Sequence, residues 1–173
     1  MKNIPIVLRA VAMASCFALP LSAGAQTGQP TDRSHPKAVT PDQVAFTNMP
    51  ELPRCLTVGV VQGDPMTGPS TVILKFAAGC DSTMHWHSPN EQLVMIKGNG
   101  SLQIQGEAPR QVMPGAYNMQ PSKHPHRFIC GAGGECQLYL FSDAKFDIHY
   151  VDASGKEISL EQALKASASP MRR

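Results

Sequence analysis

Two histidines one residue apart, His85 and His87, are followed by a glutamate, Glu91, in the stretch HWHSPNEQLV. Imidazole nitrogens and a carboxylate oxygen are the donors that suit zinc, copper, iron, nickel or manganese. In an extended strand residues i and i+2 face the same way, so His85 and His87 project together and Trp86 points to the opposite face. The tripeptide SPN makes a turn, after which Glu91 opens another strand beside them. Taken alone, the same three residues could equally be solvated polar groups on a surface strand.

The elements that must position them read as strands. From Cys55 to about Tyr150 the chain is a series of short apolar stretches broken by Gly, Pro, Asn and Asp: LTVGVV, TVILKF, EQLVMIK, SLQIQ, AYNMQ, HRFIC, CQLYLF and FDIHYV. Short strands with regularly spaced turns predict an all-β, antiparallel sandwich or barrel over residues 55–150. Residues 26–54 are rich in Pro, Thr, Gln and Asp and read as an arm or linker, with a short edge strand at QVAF. Helix is confined to the tail, 151–173. There, in SLEQALKA, Ser159 and Gln162 form a capping-box pattern before a short amphipathic helix.

The first 25 residues carry Lys2 and Arg9, an apolar run, and a small-residue end in which Ala23 and Ala25 make an A-x-A pattern before Gln26. This predicts a cleaved secretory signal and a periplasmic or secreted mature protein; the run is too short and too broken by Pro5, Arg9 and Pro20 to span a bilayer. There is no twin arginine, so the chain is expected to cross unfolded and meet its metal afterwards. The chain has 15 basic and 13 acidic residues; without Lys2 and Arg9 the numbers are 13 and 13. Neutrality without a basic stripe gives no reason to expect nucleic acid or a membrane surface as partner. Cys16 leaves with the signal, and four cysteines in an oxidising compartment allow three pairings. Folding the chain at QGDPMTGP brings Cys55 level with Cys80, and folding it at GAGGE brings Cys130 level with Cys136, so those two disulfides are expected.

The wider spacing strengthens the metal reading. Gly79, His85, His87, Glu91 and Gly98 form G-x5-H-x-H-x3-E-x6-G, which closely resembles the first motif of the cupin superfamily. Further on, PSKHPHRF resembles the second motif, P-x-G-x2-H, with Pro121 and His126 in the proline and histidine positions. PGAY, residues 114–117, resembles the turn that precedes that strand. The resemblance covers about residues 55–150. It implies a cupin jelly-roll barrel in which one divalent transition metal ion (Mn, Fe, Ni, Cu or Zn) is held by His85, His87, Glu91 and His126. It also implies a homodimer. Three departures stand out: Lys123 replaces the second-motif glycine, Ala116 replaces an aspartate, and Cys130 stands where many members have asparagine. The first two bear on turn geometry and not on a ligand.

His124 competes with His126 in the sequence HPH, but Pro125 and the turn at PSK place it at the barrel mouth, as a rim residue. His35 and His149 are isolated and read as ordinary histidines. Stepping by twos from Glu91 puts Leu93 and Met95 on the inward face, with Phe128, Leu138 and Leu140 opposite and Met119 as a further lining candidate. Seven methionines remain in the mature chain; soft sulfur near the site could favour copper, although methionine more often fills irregular cores. Three functions fit. One is a metalloenzyme, of dioxygenase, isomerase or lyase type, acting on a small organic substrate with Glu91 as general base. Another is a non-catalytic module in which the metal templates a small organic ligand, with Lys123 and Arg127 drawing an anion to the mouth. The third is a barrel kept only as an interaction surface.

Overall fold

The computed structural model describes residues 38–168. The expected signal segment, His35 and the start of the arm lie outside the described residues. Among the described residues there are eleven strands: β1 (Phe46–Thr47), β2 (Leu56–Gly63), β3 (Ser70–Phe76), β4 (His85–Trp86), β5 (Glu91–Lys97), β6 (Gly100–Ile104), β7 (Arg110–Val112), β8 (Tyr117–Gln120), β9 (His126–Cys130), β10 (Cys136–Ser142) and β11 (His149–Tyr150). A 3-10 turn, Pro41–Gln43, precedes β1, so helical structure is not confined to the tail, and an α-helix, α1 (Leu160–Ala168), follows β11. Each of the eight apolar stretches contains a strand. β4 and β7 are too short for a periodic signal, and β1 pairs where QVAF suggested an edge.

All pairings are antiparallel, and they build two sheets, β1-β2-β3-β10-β5-β8 and β11-β4-β9-β6-β7. Together they make a jelly-roll barrel. Alternation places Glu91, Leu93 and Met95 of β5 inward, and does the same for His126, Phe128 and Cys130 of β9. Phe76 of the larger sheet meets Phe128 of the smaller one edge-on, with ring centroids 4.9 Å apart, in the favoured geometry for aromatic pairs. The C-terminal capping box forms: the Ser159 amide donates to Gln162 Oε1 at 2.9 Å and the Gln162 amide to Ser159 Oγ at 3.2 Å.

Part of the stretch read as an arm is built into the barrel. Leu52 joins the core, β1 pairs with β2, and Asn48 donates to the carbonyls of Arg54 and Leu56. The Tyr150 hydroxyl donates to the Glu51 carbonyl at 2.7 Å. These are long-range contacts of a segment without periodicity, which is why the sequence alone reads as linker.

The motif glycines have backbone reasons. Gly98 turns the chain between β5 and β6 at φ +78°, and a Cβ there would stand 2.6 Å from the Glu135 carbonyl oxygen. Only glycine takes that conformation and that close approach together without strain.

Disulfides join Cys55 to Cys80, across the open end of the β2–β3 hairpin, and Cys130 to Cys136, between β9 and β10. The sequence separations are 25 and 6 residues. Loop-closure entropy grows with the logarithm of that separation, so removing Cys55–Cys80 is expected to lower stability by roughly 3 kcal/mol and removing Cys130–Cys136 by roughly 2 kcal/mol. Urea unfolding of paired Cys→Ala variants checks both values and their order.

Candidate metal centre

The centre is assembled from both sheets. His85 lies on β4 and pairs directly with His126, the first residue of β9. His87 follows β4, and the turn 88–90 carries the chain to the other sheet, where Glu91 opens β5. Hydrogen bonds hold that turn. The Ser88 amide donates to Asp147 Oδ1 at 2.7 Å, the Asn90 amide and side chain donate to Asp143, and the Ser122 amide donates to Asn90 Oδ1 at 3.0 Å. Lys123, at the second-motif glycine position, itself adopts φ +60°, and its amide donates to the His87 carbonyl at 2.8 Å. The turn the motif needs is therefore made with a lysine, at a local conformational cost of about 1–2 kcal/mol.

Each imidazole is oriented by a backbone carbonyl. His85 Nδ1 donates to the Thr83 carbonyl at 2.7 Å, His126 Nδ1 to the His124 carbonyl at 2.9 Å, and His87 Nδ1 to the Asp147 carbonyl. A carbonyl can only accept, so Nδ1 carries the proton in all three rings and each Nε2 lone pair is free. Nitrogens of the three rings lie within 4.8 Å of one another. Glu91 Oε2 approaches His87 Nε2 at 3.3 Å and His126 Nε2 at 3.9 Å. Its other oxygen, Oε1, is buried with no hydrogen-bond partner.

All four groups are buried, at 1–6% exposure. Burial, reinforced by the neighbouring imidazoles, holds His85 well below the usual histidine range. Burial and the charge His126 would carry bring His87 down to about 3. Burial likewise lowers His126, partly offset by its bond to the His124 carbonyl. Glu91 is pushed up to about 8, by burial and then by the Asp147 charge. Without a cation the Glu91–His87 contact is thus between a protonated carboxyl and a neutral ring, not an ion pair. Three convergent lone pairs and an orphaned carboxyl oxygen in a buried site are donors of the kind that suit a divalent metal ion. The histidine triad is positioned to bind one.

The cluster lines a cavity of about 70 Å³ inside the barrel. Leu93, Phe128, Leu138 and Leu140 are on its walls, as the two-residue period places them. Met95 is fully buried in the adjoining core but is not on the cavity wall. Met119 is a correction: it pairs with Gln92 on the outward face of the sheet and is 53% exposed, because β8 takes the register that turns Asn118 and Gln120 inward. His124 is exposed and supplies only its carbonyl. His149 stacks flat on Trp86 outside the barrel, with ring centroids 3.8 Å apart. Arg127 pairs with Asp81 at 3.2 Å. Sequence reading missed Ser70, Ser82, Asn118 and Ser142, which are the other polar groups on the wall, and Phe146, which packs on His87 with centroids 5.3 Å apart. Only strand register and a loop closure bring these there.

Fold and site together define a cupin barrel with a histidine-rich centre. Three solved structures illustrate the likeness. The polyketide cyclase RemF from Streptomyces resistomycificus has a TM-score of 0.63 and 16% identity over 78% of this chain and 95% of its own. A cupin-2 domain protein from Rhodospirillum rubrum has a TM-score of 0.56 and 18% identity over 69% and 82%. A cupin 2 conserved barrel protein from Rhodopseudomonas palustris has a TM-score of 0.55 and 18% identity over 69% and 87%. No protein-family model matches the sequence, and no curated protein matches it. At such identities the likeness establishes the fold.

The titrations give a testable profile for the metal-free protein. The buried imidazoles refuse protons that the unfolded chain accepts below its ordinary value of 6.5, so stability is lost as pH falls through 6.5. Glu91 keeps a proton that the unfolded chain releases above 4.5, so stability is also lost as pH rises from 4.5 toward about 8. Three imidazoles outweigh one carboxyl where the windows overlap. Metal-stripped protein is expected to resist urea best near the histidine value of 6.5 and less at about pH 5 and about pH 8. A flat profile across that range contradicts the neutral cluster.

Proposed function

We propose that the protein is an exported, mononuclear metal-dependent enzyme acting on a small organic substrate, as an oxidoreductase of dioxygenase type or as an isomerase or lyase. The observation that carries this reading is the set of three Nδ1–carbonyl bonds, which aim three Nε2 lone pairs at one buried point beside Glu91. His85, His87, His126 and Glu91 would hold the ion, which when bound supplies Lewis acidity toward a substrate oxygen or a site for O2. Glu91 Oε1, buried without a hydrogen-bond partner, would accept a proton from the substrate. The leucines and phenylalanines of the wall keep bulk water from the reacting atoms and strengthen every electrostatic contact there. Asn118, on the same wall, would offer hydrogen bonds that orient a substrate.

Export is supported by the two disulfides, which persist in oxidising compartments. No described helix is long and apolar enough to cross a membrane. The expected homodimer is tested by sedimentation at micromolar concentration, where a lone monomer contradicts it.

A specific observation favours a second reading, a metal-templated binding module without turnover. Among the described residues, no ionisable side chain other than the four candidate ligands lines the cavity, which leaves no second group there to pass on a proton.

Plasma mass spectrometry on untagged periplasmic protein is expected to find about one equivalent of a single transition metal, and a His126→Ala variant to lose most of it. No metal in the wild type, even after reconstitution, rejects both readings. A panel of phenols and diketones under air then separates them, since product formation marks the enzyme and saturable binding alone marks the module. In the enzyme, Glu91→Gln is expected to reduce kcat by about 10²-fold or more.

A further inference from the structure

Beside the metal cavity a second space of about 280 Å³ opens between β8 and the β6–β7 hairpin, where the free edges of the two sheets face each other. Two residues, Leu102 and Asn118, line both spaces, so a wall two side chains wide separates the cleft from the metal cavity. The cleft floor contains Gln120, which is 3% exposed and whose Oε1 is buried with no partner. Gln120 stands opposite Glu91 in the β5–β8 register, and Asn118 stands opposite Leu93. A buried amide oxygen without a donor is destabilising and is rarely left so unless something else satisfies it. The remaining lining is apolar or neutral, with Ile104, Ala108, Tyr117 and Met119. The two charged residues at its rim, Glu107 and Arg110, neutralise each other at 3.0 Å.

We propose that this cleft is a second binding subsite that joins the metal cavity when the Leu102 and Asn118 side chains between them swing aside, and that the ligand is an elongated, uncharged and mainly apolar molecule. Its oxygen-bearing head sits at the metal centre, and its far end passes Leu102 and Asn118 into the cleft, where an N–H or O–H on it reaches Gln120. The inference rests on the metal-dependent reading above. It accounts for three features that the metal centre leaves over. These are the unpartnered Gln120 oxygen, the Glu107–Arg110 pair that leaves the rim neutral, and the exposed lip formed by Tyr117 and Met119.

The test compares two hydroxamates that share a metal-chelating head, acetohydroxamate and octanohydroxamate, by calorimetry on the metal-loaded protein. The chain is expected to tighten binding at least about tenfold, as burial of several methylenes does. Ala108→Trp and Met119→Trp plug the cleft from opposite lips at exposed positions, and each is expected to remove that gain while leaving acetohydroxamate binding unchanged. If acetohydroxamate fails to bind, the bound metal has no open position for a ligand head and this inference falls, while the metal content itself is decided separately by mass spectrometry. Should it bind but the chain add nothing, or the chain's gain survive both plugs, the cleft is not a subsite and the metal reading stands.

Discussion

The structure turns on taking four ionisable groups out of water at one point of an apolar barrel. Three imidazoles and a carboxyl, all nearly inaccessible, stay neutral there without a cation. Isolated charge in such surroundings is prohibitive, whereas a charged group matched by an ion and by hydrogen bonds is tolerated. The three carbonyls that take up the Nδ1 protons leave the Nε2 atoms of the triad positioned to bind a metal ion. They come from Thr83, His124 and Asp147, three different connecting segments, so the order of those loops and the basicity of the ligands are one property.

That arrangement explains why strain and local order collect around the site. Thr83 and Lys123 are the non-glycine residues with positive φ among the described residues, and each serves a candidate ligand. Thr83 presents its carbonyl to His85, and Lys123 gives its amide to the carbonyl of His87. Left-handed backbone at such residues persists only where surrounding contacts over-determine it. Asn90 supplies part of that determination by tying the turn 88–90 to Asp143 and to Ser122. The segment 143–147 in turn holds Ser88 and His87 and brings Phe146 over the imidazole. The histidine cluster, the turn and the covering segment form one hydrogen-bonded unit that spans both sheets.

A cavity almost without ionisable groups beyond that unit bears on the chemistry it can support. On the reading proposed above, recognition would come from shape, from the histidine cluster and from a few serine and asparagine contacts, as in many small-molecule sites, and Glu91 would be the group left to move a proton. A barrel of this kind suits reactions in which one base and one electrophile suffice, and it suits ligands whose bulk is apolar.

Much of the protein is legible in its residues. The two-residue period separates inward Leu93 from outward Gln92, turn residues mark the strand ends, and the hairpins bring the cysteines level because their connections are short. The spacing of His85, His87 and Glu91 places donors together because all three lie within one strand, a turn and the start of the next. What lies beyond short-range spacing was decided by tertiary structure. Asp147 reaches His87 from sixty residues away, Leu52 enters the core from a segment that looks like linker, and β8 chooses the register that turns Met119 out and Asn118 in. Periodicity gives the alternation of a strand but not its phase when the strand is four residues long and its outward face is also apolar. The phase is set by hydrogen bonds to β5, and with it the line between a side chain that meets the cavity and one that meets water.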